Sequence, residues 1–151
     1  MTTLTRAEVV DNVMDKATVA WRRWEGHYGR LDAPLIARPK PLHKVLGLTG
    51  VVVSAALTAL CPAWSLDVHH DAKNNPVSVE IRGADPSPVF IPVAVHHRKL
   101  RLASPGWGER EGPVVGLSSA KAGSDFLLAL AQAAAVVLVP MDMEGRGRRV
   151  F

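Results

Sequence analysis

The chain has 151 residues and a mass of 16.2 kDa, a size that suits a single domain over residues 1–151. Hydrophobic residues make up 48% of the sequence and charged residues 21%, close to the averages for folded globular proteins. This composition excludes a collagenous chain, a disulfide-stapled miniprotein and a fully disordered tail. The single cysteine, Cys61, cannot form an internal disulfide. The net charge of +4 is compatible with nucleic-acid binding but does not imply it.

The first predicted element is an amphipathic helix over residues 6–25. Thr5 and Glu8 stand at the spacing of a capping box, in which each side chain accepts a hydrogen bond from the other residue's amide. Apolar residues then recur at helical spacing as far as Trp24, and Gly26 supplies a stop signal.

An irregular connector, rich in proline and glycine, is predicted over residues 29–41. Residues 45–64 then carry no charge and predict a second helix that is apolar on all sides and closed by Pro62. Two interpretations remain open for this helix. It is either buried in a core or an oligomer interface, which its serine, threonine and glycine residues favour, or it spans a membrane.

After Ser65 the period of the apolar residues changes to two, which predicts a hairpin from residues 66–71 and 77–82. The polar face of that hairpin would bring Asp67 and His69 close to Glu80.

A third strand begins near Val89, and Pro92 within it predicts an edge strand or a bulge. The phase of the apolar residues changes near His96 and His97, which predicts a bulge or a break into two strands.

The C-terminal part is predicted to contain an exposed loop over residues 104–119, a helix over residues 126–139 capped by Ser124, and a basic tail over residues 144–151. The fold class that follows is α+β. Two N-terminal helices, the second of them buried, and a C-terminal helix pack against a small antiparallel sheet of three or four strands.

The polar face of the predicted hairpin offers candidate metal ligands. Asp67, His69 and Glu80 would supply oxygen and nitrogen donors at short range, as in a metal-dependent nuclease or hydrolase. The simpler interpretation is the solvated face of a sheet. No nucleophile elbow, phosphate loop or nucleotide fingerprint is present, so no catalytic residue, cofactor or small-molecule substrate is predicted, and a non-enzymatic function is favoured over the hydrolase alternative.

Basic residues form three patches that suggest an alternative function in nucleic-acid binding. The first interleaves arginine with tryptophan, the second follows the His96-His97 pair, and the third is the basic tail. The candidate residues are Arg22, Arg23, Arg98, Lys99, Arg101, Arg148 and Arg149.

The function that the sequence favours is a protein-binding subunit of an oligomer or a larger assembly, with a phage or virion component as one analogy of size and composition. A protein partner or self-association is expected. The candidate interface residues are aromatic or lie on the predicted edge strand: Trp21, Trp24, Trp107, Val93 and Val95. The N-terminus does not resemble a signal peptide, so a cytoplasmic location is expected.

Overall fold

The computed structural model describes residues 4–24, 42–73, 75–85, 87–103, 112–119 and 121–139, and within these ranges it has the predicted α+β fold. The predicted connector at 29–41 and the basic tail at 144–151 lie outside the described residues. The elements are, in chain order, α1 (Arg6–Arg22), α2 (Leu42–Leu60), β1 (Ser65–His70), β2 (Pro76–Arg82), β3 (Val89–His96), β4 (Lys99–Leu102), β5 (Val114–Gly116) and α3 (Ala122–Leu138).

Helix α1 begins as predicted and ends three residues earlier. Both hydrogen bonds of the capping box between Thr5 and Glu8 are present. Its buried face consists of residues four apart, Val9, Val13, Ala17 and Trp21, as the helical repeat requires.

Arg6 joins the start of α1 to the end of α3. Its Nε donates a hydrogen bond to the Val139 carbonyl oxygen at 3.0 Å, and its Nη2 donates to the Val136 oxygen at 3.4 Å. The last carbonyl groups of a helix lack partners within the helix and carry partial negative charge. The guanidinium therefore satisfies the C-terminal end of α3 and fixes α1 against it.

Helix α2 is the buried second helix that the sequence predicts, although it is not enclosed on every side. Most of its described side chains lie in the core, but a stripe along one face is exposed, with Val51 58% accessible. The stripe consists of Val51, Ala55, Thr58 and Ala59. The stripe is exposed to solvent because α2 packs on β1, α1 and α3 through its other faces. Among the described residues, no helix is long and apolar enough to cross a membrane.

The five strands form one antiparallel sheet in the order β1-β2-β3-β4-β5. Alternate residues of the strands point toward the helices and are buried: Leu66, Val79, Ile81, Ile91, Leu100, Leu102 and Val115. Helix α2 packs on β1, α3 packs on β5 and β2, and α1 packs on the other two helices. The core therefore lies between one face of the sheet and the helical layer.

Pro92 does not lie on an edge strand, because β3 is the middle strand of the sheet. Residues 89–92 pair with β2, and residues 93–96 pair with β4. Pro92 stands where the pairing passes from one neighbour to the other, and its carbonyl oxygen accepts a hydrogen bond from the Ala103 amide at 2.8 Å. A residue without an N–H is tolerated at such a transition because few ladder bonds depend on it.

Two further predictions are corrected at the C-terminal end. The predicted loop at 104–119 contains strand β5, so the sheet has five strands instead of three or four. Ser124 is not the N-cap of the last helix, because that helix begins at Ala122. The Ser124 hydroxyl instead donates to the Lys121 carbonyl oxygen within the first turn.

Candidate functional site

The face of the sheet that points away from the helices, here called the outer face, carries most of the polar candidates from the sequence. No described helix packs on it. Its side chains alternate with those of the core along each strand. They include Asp67, His69, Ser78, Glu80, Arg82, Phe90, Lys99, Arg101 and Val114.

Glu80 is the centre of a charged cluster on the outer face. Asp67 lies opposite Glu80 in the β1–β2 register, and His69 lies opposite Ser78, so the predicted pairing is confirmed. His69 Nε2 donates a hydrogen bond to Glu80 Oε1 at 2.7 Å, and Arg82 Nε donates to Glu80 Oε2. Glu80 is only 8% exposed, whereas its two partners are about half exposed.

These contacts favour the charged form of Glu80. The hydrogen bond from His69 is the main reason that the pKa of the Glu80 carboxyl lies below its ordinary value. Desolvation by burial raises the pKa and opposes this shift. The hydrogen bond and the charge of Arg82 lower the pKa further. The net direction is downward. Glu80 is therefore held as a carboxylate with both oxygens occupied by donors.

The lowered pKa of Glu80 predicts a pH-dependent contribution to stability. A carboxyl group whose pKa falls on folding stabilises the fold above its unfolded pKa, about 4.3 for glutamate, and this contribution is lost as the pH falls through the folded pKa. We expect Glu80→Gln to be less stable than the wild type at neutral pH, with a difference that shrinks as the solution is acidified.

Urea denaturation between about pH 7 and about pH 3 measures this difference. Asp67→Asn removes an exposed carboxylate from the same face and controls for the change in net charge. A difference between wild type and Glu80→Gln that stays constant or grows on acidification contradicts the ion-pair assignment.

The metal-ligand candidates come together only in part. His69 and Glu80 are in contact, but the second oxygen of Glu80 is bound by a guanidinium, which repels a cation. Among the described residues, no three metal-ligating side chains are grouped around a common point. The arrangement is that of an ion-paired sheet face, and its geometry gives the hydrolase alternative no support.

Phe90 is the residue of the outer face that sequence reasoning missed. It lies opposite Glu80 in the β2–β3 register, its ring centroid is 6.1 Å from that of His69, and it is 52% exposed. The signal was its parity, because Phe90 is out of phase with Val89 and Ile91, which belong to the face turned toward the helices. An exposed aromatic ring on a sheet face is a common feature of interfaces.

The second basic patch, residues 96–101, lies at the turn of the β3–β4 hairpin. His97 and Arg98 are its two turn residues, and both have positive φ, 50° and 60°, so the predicted break at His96-His97 is a tight turn. Lys99 and Arg101 follow on the outer face of β4.

The two basic patches within the described residues do not form one surface. Arg22 and Arg23 end α1 on the helical side, whereas Lys99 and Arg101 point away from the helices. Arg148 and Arg149 lie outside the described residues.

The predicted interface residues are divided between core and surface. Trp21 is 1% exposed and belongs to the core, and its indole Nε1 has no hydrogen-bond partner among the described residues. Val93 is partly buried against the core. Trp24 and Val95 are exposed, and Trp107 lies outside the described residues. Trp21 is therefore not a surface side chain of this fold, and Val93 is only partly exposed.

Comparison with protein-family models, with curated proteins and with solved structures finds no match to this chain.

Proposed function

We propose that the protein is a non-enzymatic binding subunit that associates with a second copy of itself through the outer face of its sheet. The observation that carries this proposal is the half-exposed ring of Phe90, which lies on the middle strand of a face that no described helix covers. Hydrophobic and aromatic side chains surrounded by charged groups are characteristic of protein interfaces.

The exposed ring of Phe90 favours a second copy as the partner, because a two-fold axis covers the same ring on both copies. A two-fold axis along β3 would stack two outer faces with β2 of one copy over β4 of the other. Such an arrangement leaves the two Phe90 rings close to the axis, where each covers the other.

Light scattering coupled to size-exclusion chromatography tests this proposal over a wide range of protein concentration. An interface limited to one small sheet face lies at the low end of the known sizes, below about 1,200 Å², so we expect a dimer that dissociates on dilution. Phe90→Ser is expected to weaken association at least tenfold because it removes the central apolar contact.

Val51→Ser is the matched control, since Val51 is an equally exposed apolar residue on the opposite, helical side of the molecule. It should leave association unchanged. A monomer at every concentration, or an equal loss in both variants, would overturn the proposed interface.

A further inference from the structure

The tight turn between β3 and β4 brings two adjacent imidazoles together. His96 is the last residue of β3, and His97 is the first residue of the turn. Neighbouring residues on a regular strand point to opposite faces of the sheet, yet the ring centroids of His96 and His97 are only 3.9 Å apart. Both side chains are exposed, so an ion in solution can reach both rings.

The backbone conformation of the turn accounts for this juxtaposition. His97 has a φ of 50°, in the left-handed region, and Arg98 follows with a φ of 60°. Non-glycine residues are uncommon in this region, and two-residue turns of this kind ordinarily carry Asn-Gly or a similar pair. A strained turn that sets two metal-ligating side chains against each other is more typical of a functional site than of an unconstrained surface loop.

The other His-His pair of the chain, His69-His70, does not form such an arrangement. His69 lies on the outer face, where its Nε2 donates a hydrogen bond to Glu80. The ring of His70 lies on the side of α2, because its Cε1 is 3.6 Å from the position that a Cβ atom at Gly47 would occupy. The sequence motif alone therefore does not bring two imidazoles together, whereas the β3–β4 turn does.

From these observations we infer that His96 and His97 bind a divalent transition-metal ion, such as Zn²⁺, through one nitrogen of each ring. Imidazole nitrogen is a preferred ligand of zinc, copper and nickel, whereas magnesium and calcium prefer oxygen. Zn–N bonds of about 2.0–2.1 Å place two ligating nitrogens roughly 3 Å apart. Rings with centroids 3.9 Å apart allow one nitrogen of each ring to reach that separation.

The surroundings of the two rings make this a site of modest affinity. Among the described residues no group of three metal-ligating side chains occurs, so the two imidazoles leave coordination positions open to water. They hold an ion less tightly than the four ligands of a structural zinc site do. Lys99 lies opposite His96 in the β3–β4 register, and its positive charge opposes a bound cation. Removal of that charge should therefore strengthen binding.

Titration of the full, untagged chain with Zn²⁺, followed through the imidazole resonances in NMR spectra, tests this inference. We expect saturable binding at His96 and His97 and no response of their resonances to Mg²⁺. His97→Asn should weaken binding about tenfold or more because it removes one of the two ligands, and asparagine tolerates the positive φ of the turn. Lys99→Gln should tighten binding about threefold.

His69→Gln is the matched control, because it removes an exposed imidazole from the pair whose rings lie on opposite faces. It should leave the affinity for Zn²⁺ unchanged. The absence of saturable binding, an equal loss in His69→Gln, or an unchanged affinity in His97→Asn overturns the inference. The titration is repeated in Phe90→Ser, so its outcome does not depend on self-association.

Discussion

Replacing Gly50 with alanine is expected to lower the free energy of unfolding by about 1–2 kcal/mol, although alanine is the better helix former. Gly50 lies where α2 crosses β1. A Cβ atom added at Gly50 would lie 2.7 Å from Cγ2 of Val68 and 3.5 Å from its Cβ. A valine side chain has one χ angle and little freedom to withdraw, so α2 or β1 must move. The overlap costs about 1–3 kcal/mol and exceeds the gain in helix propensity of up to about 1 kcal/mol.

Gly47 provides the matched control for this prediction, because it lies on the same helix one turn earlier. A Cβ atom at Gly47 would approach His70 Cε1 no closer than 3.6 Å, an ordinary van der Waals distance. Gly47→Ala should therefore raise the free energy of unfolding by a few tenths of a kcal/mol to about 1 kcal/mol. Chemical denaturation of the two variants is thus expected to give shifts of opposite sign.

A double-mutant cycle with Val68→Ala identifies the cause. If the contact with Val68 is responsible, the variant that carries both Gly50→Ala and Val68→Ala should be more stable than the sum of the single effects predicts, by about 1 kcal/mol or more. Strict additivity of the two substitutions would assign the destabilisation to something other than this contact. The cycle also tests how closely α2 packs on β1. This packing determines how far the opposite face of α2 is exposed.

The elements that the sequence predicts well are those whose signals are local. The capping box of Thr5 and Glu8 needs only a spacing of three residues, and the β1–β2 register follows from strict alternation on both strands. For the same reason, the alternation of polar and apolar residues is sufficient to place Asp67 and His69 beside Glu80. Local periodicity is a reliable guide where one face of an element is buried and the other is wet.

The remaining features depend on partners that are distant in sequence. Strand β5 has three residues and forms because β4 offers an edge for it to pair with. No local sequence pattern predicts this strand. The change of partner at Pro92 and the exposure of Phe90 both depend on which strands and helices lie alongside. The alternation places Arg82 on the same face as Glu80, two residues along β2. It does not predict their ion pair, because the rotamers that bring the guanidinium to the carboxylate depend on the neighbours of both side chains.

The second large effect is expected at the β3–β4 turn, where a substitution should make the protein more stable. Replacing His97-Arg98 with Asn-Gly should raise the free energy of unfolding by about 1 kcal/mol. A non-glycine residue in the left-handed region costs about 1–2 kcal/mol, and Arg98 has a φ of 60°. Glycine removes that cost but gains entropy in the unfolded chain, which offsets about 0.4–1 kcal/mol. Asparagine is tolerated at positive φ because its short side chain bonds locally.

Arg98→Ala separates backbone strain from charge, because alanine loses the guanidinium but retains a Cβ atom. We expect no gain in stability from Arg98→Ala and a clear gain from Arg98→Gly, both measured by urea denaturation. Equal effects of the two substitutions would show that charge repulsion at the hairpin tip, and not the backbone, determines the stability of the turn.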